Sequence, residues 1–210
     1  MRNPYIVGNW VSGKNLYGRK APINEILHSP YNALYVMGNR RMGKTSLLRQ
    51  VETLAPSIFL DFQKIGGSVT GLARELRREI RRKSRRFGEC LPEEGFLADK
   101  NAFEILEALD EKAEKGGIRL LLLCDEAEVL LEIGHKDPQA LMRMRAILQG
   151  SRALRTVLTA TKGLCQLNDL CRHWPTSPFL HGFSTRYLSG LTDEAAEALI
   201  RQTKLETPVR

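Results

Sequence analysis

Eight consecutive residues, Gly38-Asn39-Arg40-Arg41-Met42-Gly43-Lys44-Thr45, fit the spacing G-x-x-x-x-G-K-[ST]. The two glycines let the backbone turn tightly with no side chain in the way, so successive N–H groups can point inward at an anion. Lys44 then brings a point charge to the β- and γ-phosphates of a nucleoside triphosphate, and Thr45 offers its hydroxyl to Mg²⁺. Ser46 follows at the start of a helical pattern, where the free N–H groups of the first turn add positive potential. Gly38 through Ser46 are therefore the expected ATP-binding set.

Such a loop needs a carboxylate for its metal ion on a neighbouring strand. Leu120-Leu121-Leu122-Leu123-Cys124 is a continuous apolar run, as expected of a strand covered on both faces, and Asp125-Glu126 ends it. Asp125 is the expected Mg²⁺-side residue, with Thr45; a carboxylate often holds Mg²⁺ through one of its waters. Glu126, one residue on, projects differently and is the expected catalytic residue, orienting or deprotonating an attacking water. A third strand end, Val157-Leu158-Thr159-Ala160-Thr161-Lys162-Gly163, places hydroxyls where a γ-phosphate would be read if this strand lies between the other two. Thr161 is the expected sensor.

The elements that must hold these residues can be read from periodicity. Ala33 to Met37 is a β-favouring run before the loop, and the helix after it ends before Pro56. Ser57 to Phe62 reads as a strand. Leu72, Leu76 and Ile80 then mark the apolar side of an amphipathic helix whose other face is basic. Asn101 to Lys115 reads as a helix with Phe103, Leu106 and Leu109 inward, stopped by Gly116-Gly117. A helix follows from Pro138 to about Gln149, a strand from Leu154 to Ala160 and a strand near Thr185 to Leu188. Thr192 caps a final helix, with Asp193 and Glu194 at its positive end. Alternation of strands with helices predicts an α/β chain: a three-layer P-loop NTPase fold with a mostly parallel central sheet, AAA-like, its lid domain largely absent. The expected division is an adenine-side segment over 1–30, an ATPase core over 31–190 and the start of a truncated lid helix over 191–210.

The chain has 210 residues, 42% of them hydrophobic and 27% charged, which suits one globular core. No stretch approaches the ~20 apolar residues of a membrane span. The N-terminus lacks an apolar segment or cleavage site of secretory type, so the expected location is cytoplasmic. Cys90, Cys124, Cys165 and Cys171 form no CxxC pair, and Cys165, Cys171 and His173 fit no common zinc spacing. Much of the +8 net charge sits between Arg74 and Arg86, where eight basic residues face only Glu75 and Glu79. That segment is a solvated face, a docking surface for an acidic partner or a nucleic-acid contact.

Taken together these residues resemble the STAND branch of the AAA-related signalling ATPases. Asn3-Pro4-Tyr5-Ile6 and Leu16-Tyr17-Gly18-Arg19 are similar to that family's N-P-[YF] and F-[YFV]-G-R segments, and the resemblance implies that Tyr5, Ile6, Gly18 and Arg19 lie on the adenine side. Asp125-Glu126-Ala127-Glu128 resembles its D-E-x-E strand end, Leu158 to Thr161 its sensor strand, and Tyr187 to Ala196 its L-x-P-L-[ST]-x-E-E-A stretch. The proline usual near Gly190-Leu191 is absent. His181-Gly182-Phe183 stands where some relatives carry an arginine, with Arg186 as the nearest replacement. The resemblance implies a switch in which ADP holds a closed monomer and ATP permits a homo-oligomer, feeding an effector domain outside this chain. Two other readings stand beside it: a DNA-associated AAA-type ATPase, such as a transposition or replication helper using helix 74–86 on phosphates, and an assembly platform that binds nucleotide but hardly hydrolyses it.

Overall fold

The computed structural model describes residue 6, residues 8–173 and residues 177–206, without the side chains of 202–206. In chain order the elements are α1 (Lys20–His28), β1 (Ala33–Met37), α2 (Lys44–Leu54), β2 (Ser57–Asp61), α3 (Val69–Phe87), α4 (Glu94–Leu97), α5 (Ala102–Lys115), β3 (Leu120–Asp125), α6 (Val129–Lys136), α7 (Pro138–Gly150), β4 (Leu154–Ala160), α8 (Gln166–Leu170), β5 (Ser184–Tyr187) and α9 (Asp193–Glu206). The strands form one sheet in the order β2-β3-β4-β1-β5, with every neighbouring pair parallel. β4 therefore lies between the strand that feeds the glycine loop and the strand that ends in Asp125. All three carboxyl ends open on one side, the place where such sheets bind ligands.

Alternation along each strand sorts the apolar residues into two layers. Leu34, Val36, Leu121, Leu123 and Val157 face α1 and α2, where Ile26, Leu47, Leu48 and Val51 complete a small core. Ala33, Tyr35, Leu120, Leu122 and Leu158 face the other way, onto a larger core built from α3, α5, α6, α7 and α8. This is the expected three-layer α/β arrangement. Asn101 caps α5 with a reciprocal bond pair, its side chain taking the N–H groups of Phe103 and Glu104 while Glu104 takes the Asn101 N–H at 2.8 Å.

Several boundaries differ from expectation for local reasons. β2 stops at Asp61 because the Asp61 side chain accepts the Gln63 N–H at 3.2 Å and turns Phe62 into the core. The edge strand runs Ser184–Tyr187, one residue earlier than expected, and Leu188 N–H still donates to Met37 O at 2.7 Å. α2 begins at Lys44, two residues before Ser46, because Gly43 caps it in a left-handed conformation. Helices α1, α6 and α8 carry too few turns to show a period in the sequence.

The basic helix α3 keeps an open face: Arg74, Arg78, Arg81, Arg82, Arg85 and Arg86 are exposed, while Lys83, Glu75 and Glu79 are buried, and four carboxylates from α2, α3 and α4 pair with part of its charge. Arg82 and Lys83 each reach Glu52 of α2 at 2.7 Å, Arg82 and Arg78 pair with Glu79, Arg78 also with Glu75, and Arg81 with Glu94. Arg77 donates to the carbonyls of Leu97 and Lys100, and Arg74 to that of Lys64. Only Arg85 and Arg86 of the eight make no such contact among the described residues. Burial pulls the Glu52 carboxyl up, but hydrogen bonds from Lys83, Arg49 and Arg82 outweigh it and hold Glu52 at about 2. Among the described residues no helix is long and apolar enough to cross a membrane.

Candidate nucleotide site

The loop after β1 is pinned at its base by Gly38 N–H donating to Ala160 O at 3.1 Å. A side chain at position 38 would meet the Leu188 carbonyl oxygen at 3.0 Å, so glycine lets the chain just past β5 pack here without being pushed back by a few tenths of an ångström. Two left-handed residues, Arg41 at φ 66° and Gly43 at φ 82°, then fold the chain over the start of α2. Arg41 is a rare non-glycine holder of that conformation, a strain tolerated only where surroundings fix it. The Lys44 ammonium is buried in the loop, donating to the carbonyls of Gly38 at 2.9 Å and Asn39 at 3.1 Å. Thr45 lies beside it in the first turn of α2.

Across the cleft, the buried Asp125 closes β3, and Thr159 of β4 donates its hydroxyl to Asp125 Oδ1 at 2.5 Å. Thr159 itself is fully buried, so the carboxylate is fixed in rotation by a charge-assisted bond. Glu126 follows at φ 54°, a second strained non-glycine residue. Burial pushes its carboxyl above the ordinary range, aided by the charges of Glu128 and Asp125 and opposed by Lys44 and Arg40. Lys44 and Arg40 thus act on Glu126 across the cleft: the phosphate loop and the acidic strand end face one another. Thr161 lies just past β4, its hydroxyl oxygen accepting the Gly163 N–H at 3.2 Å.

Beside the loop, a cleft of about 260 Å³ is lined by Ile6, Val11, Leu16, Arg19, Met42 and Leu191, among others. Arg19 is buried and donates to Met42 O at 3.0 Å and Gly190 O at 3.5 Å, tying the loop to the stretch before α9. Gly18, at φ 64°, packs so closely on α9 that a methyl group there would stand 2.6 Å from Ala195 Cβ. Of the four residues expected on the adenine side, Ile6 and Arg19 line this cleft and Gly18 packs beside it against Leu191 and Ala195. Tyr5 lies outside the described residues.

The AAA domain family matches residues 27–167, which hold the loop, Asp125, Glu126, Thr159 and Thr161. The chain belongs to the AAA domain family. This AAA domain is similar in fold to the Walker-type ATPase PABY2304 of Pyrococcus abyssi, at a TM-score of 0.78 and 18% identity, over 98% of this chain and 63% of that one. It is also similar to the ORC2 protein of Aeropyrum pernix, solved in ADPNP–ADP complexes, at a TM-score of 0.61 and 15% identity, over 93% of this chain and 54% of that one. The AAA domain thus spans less than two thirds of either chain, and likeness at these identities speaks of fold. A search of the curated proteins finds no match.

Sequence reading missed two members of the site. Thr159 belonged to the strand singled out, but its bond to Asp125 depends on the β3–β4 register, which sets Cys124 opposite Leu158. In the sequence Glu128 stands only as part of D-E-x-E. Its Oε1 accepts the Thr161 N–H at 2.5 Å, a contact across thirty-three positions of sequence.

Proposed function

We propose that this AAA domain binds Mg-ATP, hydrolyses it slowly and acts as a nucleotide-controlled switch of the STAND kind. The observation that carries the reading is the parallel order β3-β4-β1, which sets Lys44 and Thr45 of the loop after β1 at the same carboxyl edge of the sheet as the Asp125–Thr159 pair. The residues fit the groups they would hold. Thr45 and Asp125 are hard oxygen donors suited to Mg²⁺, and Gly38 and Gly43 keep the loop's interior free of side chains. The apolar cleft beside the loop, with Arg19 and Met42 in its wall, suits a purine base.

Within this reading Lys44 leaves its own loop carbonyls for the phosphates, and Mg²⁺, when bound, neutralises charge developing on the γ-phosphate. Glu126, one residue past Asp125 and in a left-handed turn that projects it away from the strand, orients the attacking water. ATP and ADP differ in contacts at the γ-phosphate, so each favours a different arrangement of the loop ends and of the 191–206 segment packed on Gly18. Homo-oligomerisation in the ATP state, a lid or effector outside 1–210 and a cytoplasmic setting belong to the same proposal. The DNA-associated alternative rests on the exposed face of α3, where Arg74, Arg85 and Arg86 are open to solvent and Arg78, Arg81 and Arg82 are exposed but ion-paired within the fold.

The test is steady-state ATP turnover by the purified chain and Glu126→Gln, with mass followed by light scattering and with duplex DNA added in a parallel arm. The switch reading predicts slow turnover, lost at least tenfold in Glu126→Gln, with mass rising in ATP and indifferent to DNA. Turnover unchanged in a Glu126→Gln protein that binds ATP overturns the hydrolytic role, and stimulation by DNA overturns the switch in favour of the alternative.

A further inference from the structure

Thr161 is gripped at both ends of its backbone. Its N–H donates to Glu128 Oε1 from the β3 side at 2.5 Å, and its carbonyl accepts the Tyr35 hydroxyl from β1 at 2.5 Å. Tyr35 is 1% exposed, and burial raises the pKa of its hydroxyl, so it stays a neutral donor. Glu128 sits at the head of α6, in a turn whose Ala127 N–H donates to Thr159 O at 3.0 Å. The three strand ends that border the cleft are thus cross-tied through a single residue.

Glu128 holds a second oddity. Its Oε2 is buried and has no hydrogen-bond partner. A carboxylate that leaves one buried oxygen unpartnered forgoes a bond worth about 1–3 kcal/mol, so the position favours reach to Thr161 over full satisfaction of its own oxygens. Thr161 for its part uses its hydroxyl oxygen as an acceptor for Gly163 N–H, which leaves the O–H free to donate.

We propose that Glu128 is a positioning residue: with Tyr35 it clamps the Thr161 backbone so that the Thr161 hydroxyl is held at the cleft mouth between β1 and β3, where it reads the γ-phosphate. The proposal rests on the ATPase reading above. It makes the length and acceptor oxygen of Glu128 decisive, and its charge secondary. Glutamine keeps both length and acceptor; aspartate keeps the charge but is one methylene too short to reach Thr161 N–H.

Two measurements on the full chain test it. The first is hydrogen exchange of the Thr161 amide in the wild type, Glu128→Gln, Glu128→Asp and Glu128→Ala. The clamp predicts at least tenfold faster exchange in Asp and Ala, with protection restored in Gln. The second is the split between kcat and KM for Mg-ATP: kcat falls about tenfold in Asp and Ala with KM within twofold, and Gln rescues most of the loss, as expected when a reacting contact is misplaced rather than removed. Tyr35→Phe should reproduce the kcat loss. Equal exchange in wild type and Ala, or activity retained by Asp and lost in Gln, overturns the clamp. If exchange behaves as stated while no variant, wild type included, turns over ATP, the clamp stands and the hydrolytic reading fails.

Discussion

Gly18→Ala tests whether the cleft formed by the segment before α1 and the helix α9 holds the base, as proposed. The added methyl would lie 2.6 Å from Ala195 Cβ and 3.1 Å from Leu191 Cδ2. Carbon atoms rest at about 3.5–4.0 Å, so α9 must retreat by about 1 Å. Position 18 also sits at φ 64°, where a side chain costs roughly 1–2 kcal/mol, and overpacking adds about 1–3 kcal/mol. Most of α9 is exposed, and it lies outside both cores. The cost is therefore relieved by swinging α9 outward, which draws Leu191 and Leu199 from the cleft wall. The backbone strain is common to free and bound protein, so only the overpacking of about 1–3 kcal/mol is charged to the bound state, roughly 5- to 150-fold in Kd. Titration with a fluorescent ATP analogue should show that weakening, while Tm falls by about 2–8 °C, the share set by the backbone strain at position 18. Gly150→Ala, where a methyl meets nothing within 4 Å, should bind as the wild type does. A Gly18→Ala protein with wild-type affinity would refute the placement of the base in this cleft.

Thr159→Val removes the buried donor to Asp125 at nearly constant volume; a bond to a charged group contributes about 1.5–3 kcal/mol, so Mg-ATP turnover should fall at least tenfold, while Mg²⁺-free ADP binding stays within threefold. Replacing Arg155 by leucine tests the join between β4 and α1: the guanidinium is 1% exposed and donates to the carbonyls of Ile26, at 2.9 Å, and Ser29 at the end of α1. Urea unfolding should show a loss of about 2–4 kcal/mol, the carbonyls being left without a partner. For Glu52 the sign follows from its depressed folded value of about 2 against an ordinary carboxylate. Its stabilisation is fully present above the unfolded pKa and is lost as pH falls through the folded value. The stability gap between wild type and Glu52→Gln in urea should therefore be widest at neutral pH, narrow below the ordinary carboxylate range and close only near about pH 2; a gap that grows on acidification would contradict the assignment.

What the sequence made legible was local. The glycine loop, the apolar run into Asp125 and the strand at 154–160 each carry their signal within a few neighbouring residues, and each stands where its pattern placed it. What it hid were relations between distant segments. The basic stretch from Arg74 hides the ion pairs that Arg82 and Lys83 make with Glu52, because that acid comes from another helix, thirty residues before Arg82. Thr159 could not be preferred to Thr161 as Asp125's partner without the β3–β4 register, since both lie on the same side of an extended chain. Arg155 reads as an interruption in an apolar strand, and only the end of α1 packed against it explains a buried cation there. The left-handed turn at Glu126 has no sequence mark at all, because glycine or asparagine is the usual sign of one.

The central claim is that the loop from Gly38 to Thr45 and the Asp125 strand end form one Mg-ATP site. Calorimetric titration of Mg-ATP into the wild-type chain and Lys44→Ala tests it most directly. The account predicts saturable one-to-one binding by the wild type and a loss of at least about a hundredfold in the variant, roughly 3 kcal/mol. Equal affinity in the two proteins would contradict it.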